Sequence, residues 1–357
     1  MTQRLEHIQA LRGAAALMVL AAHVKEAELD YGREGALLPY SLFMGVSGVD
    51  LFFLISGFVM THVALDGARG PHASVRFLLH RAARIYPLYW AVTLALMVLY
   101  VGKLALFGEA TPFNNPVETM LLLPDDEFPL LPVGWTLVHE MYFYAAFALF
   151  VLAARINIGV FLTAWALIIA AANVAGIVAL NPWTRVIFSP LTFEFIGGAI
   201  IALVLRRGIT AFALPALALG AGAIVGLSIV LATTLYPGAF ADFGLRALIF
   251  GSIFALVLYG AAALEMTRGA KAPKWLTAAG DASYSLYLVH VPVFLVVGKT
   301  LSVLLPDGGF DNWILIPAYV VTSLAVAFAV HRWVEKPALL FARRIAEKLS
   351  RAQATKA

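Results

Sequence analysis

The feature that most constrains this chain is a succession of apolar runs, each about twenty residues long, broken by short, mostly basic segments. A hydrocarbon core of about 30 Å takes roughly 20 helical residues to cross. A backbone facing lipid must satisfy its hydrogen bonds internally, so runs of this kind are helices. Ten are read, over residues 8–26, 41–62, 87–107, 134–154, 157–179, 186–205, 211–233, 245–264, 282–304 and 313–334. The fold class that follows is all-α, a polytopic integral membrane protein of about ten transmembrane helices. Composition agrees: 62% of the 357 residues are hydrophobic and 13% charged, against about 25% charged in an ordinary soluble domain. The first run follows Arg4 and Arg12 but lacks a small-x-small cleavage site, so it is read as a retained helix and not a signal peptide.

The net charge of +4 and pI near 9.2 do not indicate nucleic acid, because the basic residues sit at helix ends, as membrane topology requires. With the N-terminus in the cytoplasm, only Lys25, Arg33, Lys103, Arg185, Arg246 and Lys299 of the 25 Lys and Arg fall outside. The acidic residues Glu109, Glu118, Asp125, Asp126 and Glu127 share one outer loop. An even number of spans then leaves both termini cytoplasmic. Residues 66–86 read as a basic, partly amphipathic inner loop, and 108–133 as an acidic, proline-rich outer one with a short helix near Met120–Leu123. The chain divides into a transmembrane domain, 1–335, and a basic amphipathic cytoplasmic tail, 336–357, on the inner leaflet, which makes membrane lipid a partner. With no cysteine, disulfides and thiolate chemistry are excluded. No internal repeat is visible.

Ionisable side chains inside spans are costly and by default mark function. Here they are Arg12, His23, Asp50, His139, Glu140, Glu194 and His290. Arg12 and His23 are eleven residues apart, about three turns and roughly 16 Å on nearly one face. That spacing suits a long substrate with an anionic head and a reactive far end; the alternative is a snorkelling arginine and a histidine bonded to a neighbouring helix. Asp50, in mid-helix, either orients His23 as a carboxylate does in a catalytic triad or is a strut between helices. Glu140 follows Trp135 on an outside-to-inside helix, near the depth expected of His23; it is an active-site acid or half of a structural pair. His139-Glu140 is no zinc motif, because the second histidine of H-E-x-x-H is missing, and no metal is expected. Arg81 and Arg84 share a helical face and suit phosphate, although positive-inside charge explains them equally. His290 lies on a polar and aromatic stripe, as a packing or a working histidine.

Taken in order, Leu11-Arg12-Gly13 with His23, the Gly48–Phe58 block, Arg81–Tyr89, Trp135 with Glu140, and Ala282–His290 resemble the acyltransferase-3 family of membrane O-acyltransferases. The likeness is to the stand-alone kind linked to exopolysaccharide and O-antigen acetylation, and it covers nearly the whole chain. It implies ten helices in the bacterial cytoplasmic (inner) membrane and a cytoplasmic acyl-CoA donor, acetyl-CoA or succinyl-CoA. The acceptor it implies is a hydroxyl of an extracytoplasmic polysaccharide or its lipid-linked precursor, with polysaccharide-assembly proteins as partners. It carries over a catalytic role for His23, a supporting role for Arg12 and donor contacts for Arg81 and Arg84.

On this reading Asp50 or Glu140 holds the tautomer of His23, and Trp135, His139, Tyr142, Tyr144 and His290 meet the acceptor. Only a short segment follows the tenth span, so transfer is expected to be completed within the membrane domain. The competing class is a proton-coupled transporter, since buried His, Asp and Glu also build proton relays; the absence of a repeat and of paired broken helices speaks against it.

Overall fold

A computed structural model describes residues 5–32, 36–108, 115–153, 155–233, 242–304 and 311–354. Expectations resting on Arg4, Arg33, Glu109 and Lys356, and on the side chains of Lys348 and Arg351, lie outside what is described. Among the described residues all regular structure is helical. In chain order the helices are α1 (Glu6–Tyr31), α2 (Gly48–Leu65), α3 (Pro71–Phe107), α4 (Pro116–Leu121), α5 (Trp135–Leu152), α6 (Ile158–Val174), α7 (Pro182–Ile187), α8 (Thr192–Arg206), α9 (Ala213–Thr233), α10 (Phe243–Arg268), α11 (Lys274–Asp281), α12 (Ser283–Leu304), α13 (Asp311–Val330) and α14 (Lys336–Ala354). Nine helical stretches among the described residues are long and apolar enough to cross a membrane, and α6 is a shorter tenth. Each expected run therefore has its helix, and the protein is a multi-pass membrane protein.

The chain forms two compact units, Met1–Val63 with Pro190–Phe328, and Ala64–Ser189 with Ala329–Ala357. In the first, α1 packs against α10, α11, α12 and the 3-10 turn Tyr40–Ser47 that leads into α2. Between helices in lipid, close packing replaces the hydrophobic drive, and small residues let backbones touch. Gly57 of α2 and Gly198 of α8 do this reciprocally: a Cβ on Gly57 would collide with the Phe195 carbonyl, and one on Gly198 with that of Leu54. Leu51, Leu54, Phe58, Phe250, Phe254 and Leu258 fill the core beside that crossing. The short helix α11, absent from the sequence reading because it is too brief to make an apolar run, meets α1 the same way, with Gly13 against the Leu276 carbonyl and Gly280 against that of Gln9.

In the second unit α3 and α5 run antiparallel and α14 packs along α3. Here the structure corrects the sequence reading. The basic stretch 66–86, read as a loop, is mostly the first half of α3, a helix of 37 residues with Pro87 inside it. A proline lacks the N–H for the bond four residues back, so Pro87 looks like a helix start, yet membrane helices tolerate such a gap. Three contacts fix the register between the helices: Gly70 N to Val151 O at 2.8 Å, Ser74 Oγ to Ala148 O at 2.8 Å, and Tyr89 Cε2 at 3.3 Å from where a Gly134 Cβ would lie. Interpolating at about 1.5 Å per residue puts Arg84 level with Val138 and His139, and Glu140 between the levels of Arg81 and Arg84. Glu140 is therefore not a long step away from the arginine pair, as expected, but in the same layer.

Candidate active site

Helix α1 is unbroken from Glu6 to Tyr31, so Arg12 and His23 keep their shared face and their offset of about 16 Å. Both are partly exposed. The Nδ1 of His23 lies 2.9 Å from the Val19 carbonyl one turn back. A carbonyl only accepts, so Nδ1 carries the proton and the neutral ring holds its lone pair on Nε2. His290 of α12 repeats the arrangement, with Nδ1 donating to the Leu286 carbonyl at 3.0 Å. The two rings meet edge to face with centroids 4.8 Å apart. His290 is 1% exposed, and its Nε2 is buried without a hydrogen-bond partner. Tyr287 and Phe294 pack around it, with ring centroids at 6.1 and 5.8 Å.

Asp50 does not hold the tautomer of His23; the Val19 carbonyl does. The Asp50 carboxylate faces Arg246 of α10. Arg246 Nε donates to both carboxylate oxygens at 2.9 Å, and Nη2 donates at 2.7 Å to Oδ2 and at 2.9 Å to the Val46 carbonyl. Asp50 is 0% and Arg246 6% exposed. Glu194, also buried, lies close enough for electrostatic coupling to both, in space left by the missing Cβ of Gly251. A second buried pair, Lys25 and Glu28 at 2.8 Å, closes the end of α1. Glu28 also accepts from the backbone N–H groups of Leu37 and Leu38 at 2.6 and 3.0 Å, and the Lys25 ammonium lies 4.6 Å from the Tyr40 ring centroid.

In the second unit Arg81 lies over the rings of Phe77 and Tyr144, at 5.4 and 5.8 Å from their centroids. Its Nε is buried without a hydrogen-bond partner. The Tyr144 hydroxyl donates to Glu140, so Glu140, Tyr144 and Arg81 form one connected group. Arg84 Nη1 is 2.8 Å from Glu335 Oε1, and Glu335 Oε2 is 2.8 Å from His331 Nδ1. Both of those residues lie on a π-helical turn, His331–Glu335, between α13 and α14. Such turns often mark functional positions. His139 donates from Nδ1 to the Trp135 carbonyl at 3.1 Å, and its ring sits edge-on to the Trp135 indole at 5.5 Å. Tyr142 does not share a face with Tyr144: it accepts from Trp165 of α6 at 3.0 Å, while Tyr144 looks toward α3. The aromatic residues expected to line a sugar site are thus divided between two sides of α5.

Sequence reasoning passed over Arg246, Lys25, Glu335 and His331. Arg246 lies one residue inside the run 245–264, and that placement was the available signal. It was counted instead as an outer loop charge, as was Lys25.

An all-helical membrane bundle with two apposed imidazoles, buried ion pairs and an arginine pair on a partly buried helix fits a membrane-embedded enzyme and a proton-coupled carrier alike. The family comparison makes the class specific: the acyltransferase domain of the acyltransferase 3 family matches residues 5–332, and the chain belongs to that family. It is an acyltransferase. Among curated relatives, the exopolysaccharide production protein ExoZ of Rhizobium meliloti (strain 1021) is 32% identical over 314 residues, covering 83% of this chain and 90% of the relative. The acyltransferase MdmB of Streptomyces mycarofaciens is 29% identical over 169 residues, 43% of this chain and 40% of the relative. Protein 2 in the picA locus of Rhizobium radiobacter is 32% identical over 165 residues, 40% of this chain and 79% of the relative. No solved structure matches.

Proposed function

We propose that this acyltransferase moves an acyl group, acetyl in the first instance, from cytoplasmic acyl-CoA to a hydroxyl of an extracytoplasmic polysaccharide or its lipid-linked precursor. It would work in the cytoplasmic membrane of a bacterium with both termini inside. The likeness to an exopolysaccharide production protein over most of both chains supports the acceptor class.

The observation that carries the chemistry is the His23 ring. Its Nδ1–H is committed to the Val19 carbonyl, which leaves Nε2 as a base or nucleophile of defined tautomer. As base, Nε2 takes the sugar hydroxyl proton while that oxygen attacks the thioester carbon. The C–S bond breaks, sulfur leaves with the electron pair, and the imidazolium returns the proton to it. As carrier, Nε2 itself attacks the thioester carbon and holds the acyl group. Arg12, on the face of His23 and about 16 Å away, is at a distance that an extended pantetheine arm spans. Arg81 and Arg84 are assigned to the donor's phosphates, and Arg81 fits best, with a buried Nε that has no hydrogen-bond partner among the described residues. Glu335 orients Arg84.

Purified protein given acetyl-CoA is expected to release thiol, and His23→Ala to abolish the release. A correctly inserted His23→Ala variant that releases thiol at the wild-type rate refutes the assignment.

A further inference from the structure

A direct transfer needs one base. The first unit holds two imidazoles in contact, each with Nδ1 tied to its own helix carbonyl and each with its lone pair on Nε2. The second, His290, is 1% exposed and lies against the partly exposed His23, with that atom unsatisfied. Leaving a buried acceptor unsatisfied costs about 1–3 kcal/mol, and a phenylalanine would fill the space beside Tyr287 and Phe294 without that cost. Once His23 carries an acyl group on Nε2, with its proton still on Nδ1, the ring has no lone pair in its plane. It can no longer take a proton from the acceptor. A second base must then do so, and the neighbouring candidate is the His290 imidazole, its centroid 4.8 Å from that of His23.

We propose that the two histidines divide a two-step reaction, His23 as acyl carrier and His290 as the general base of the second step. This rests on the acyl-CoA reading above. In the first step the Nε2 lone pair of His23 attacks the thioester carbon, the C–S bond breaks, and CoA leaves as the thiolate. The ring is left as an N-acylimidazolium that keeps its Nδ1 proton. In the second, the acceptor hydroxyl oxygen attacks the acyl carbon as its proton passes to Nε2 of His290. The C–N bond breaks and its electron pair returns to His23. The proton on His290 then goes to thiolate or to water, which restores both rings.

The test compares wild type, His290→Gln and His290→Phe, in detergent or nanodiscs, with acetyl-CoA as donor and water as the hydroxyl acceptor. Readouts are the thiol released in the first turnover, the acetyl group retained on the protein and mapped by mass spectrometry, and its discharge by hydroxylamine, a strong nucleophile that needs no general base. Both variants are expected to release thiol close to the wild-type initial rate but stop after one equivalent, with acetyl on residue 23. Their steady-state turnover falls by about 10²-fold or more, the usual worth of a general base, and hydroxylamine restores turnover. Steady-state turnover at the wild-type rate in both variants overturns the proposal. So does loss of the first-turnover thiol in both, which would place His290 before the acyl step. Wild-type protein that turns over normally while never carrying acetyl on His23 overturns the proposal, because direct transfer needs only one base. Wild-type protein that releases no thiol at all from acetyl-CoA overturns the donor reading, and this proposal with it.

Discussion

The buried Asp50–Arg246 pair gives the sharpest quantitative test of how this bundle is held together. Three N–H to carboxylate contacts of 2.7–2.9 Å join α2 to α10, and neither side chain is more than 6% exposed. Removing one partner of such a pair strands a charge in the interior, at about 3–5 kcal/mol. Each single substitution strands one buried charge, Asp50→Leu the guanidinium and Arg246→Met the carboxylate, so each belongs at about 3–5 kcal/mol. At roughly 2 °C per kcal/mol for a chain of this size, either thermal melt should fall by about 6–10 °C. The double variant Asp50→Leu with Arg246→Met removes the pair without stranding either member and should recover much of the loss, giving a coupling of at least about 2 kcal/mol in the double-mutant cycle. Since the His23 tautomer is set by Val19 and not by Asp50, thiol release from acetyl-CoA should recover in step with the melt. Additive single effects refute the electrostatic account. A double variant that melts normally yet transfers nothing returns Asp50 to the chemistry.

Other substitutions test other parts of the structure. Gly198→Ala puts a methyl against the Leu54 carbonyl and should lower the melt by the equivalent of about 1–3 kcal/mol. Gly222→Ala, on the same kind of helix but with open space around it, should be neutral or stabilising by up to about 1 kcal/mol. Arg81→Gln should raise KM for acetyl-CoA by about 10–100-fold with kcat little changed, the loss of one charge-assisted contact of about 1.5–3 kcal/mol. A fall in kcat at constant KM would remove Arg81 from donor binding. Glu28→Ala withdraws the acceptor of Leu37, Leu38 and Lys25 together, so it should destabilise more than Lys25→Met, which leaves the two backbone donors satisfied; the reverse order in thermal melts would refute this.

The sequence was informative where one physical signal acts alone, and much less so where two signals share a residue type. Lipid imposes the same demand on every span, so ten apolar runs could be located without knowing what packs on what. An arginine near a span end serves equally as a topology charge and as a buried ion-pair partner, and nothing local separates the two. Arg246 became readable only through Asp50, 196 positions away in sequence. The basic half of α3 was hidden for a related reason: an Arg- and His-bearing stretch ending in Pro87 has the composition of a cytoplasmic loop, and only its contacts with α5 at Ser74 and Tyr89 reveal a helix. The candidate site shows the same division. His23, His290 and Glu140 stood out singly because ionisable groups in apolar runs are rare, and Arg81 by its spacing to Arg84. Their pairing did not, because α1 and α12 come together through folding and not through any spacing along the chain. What settles the His23 tautomer is a backbone carbonyl one turn back, and every helical residue has one. A rule of thumb that looks for a carboxylate beside each catalytic histidine therefore pointed at Asp50, whose oxygens were already taken by Arg246.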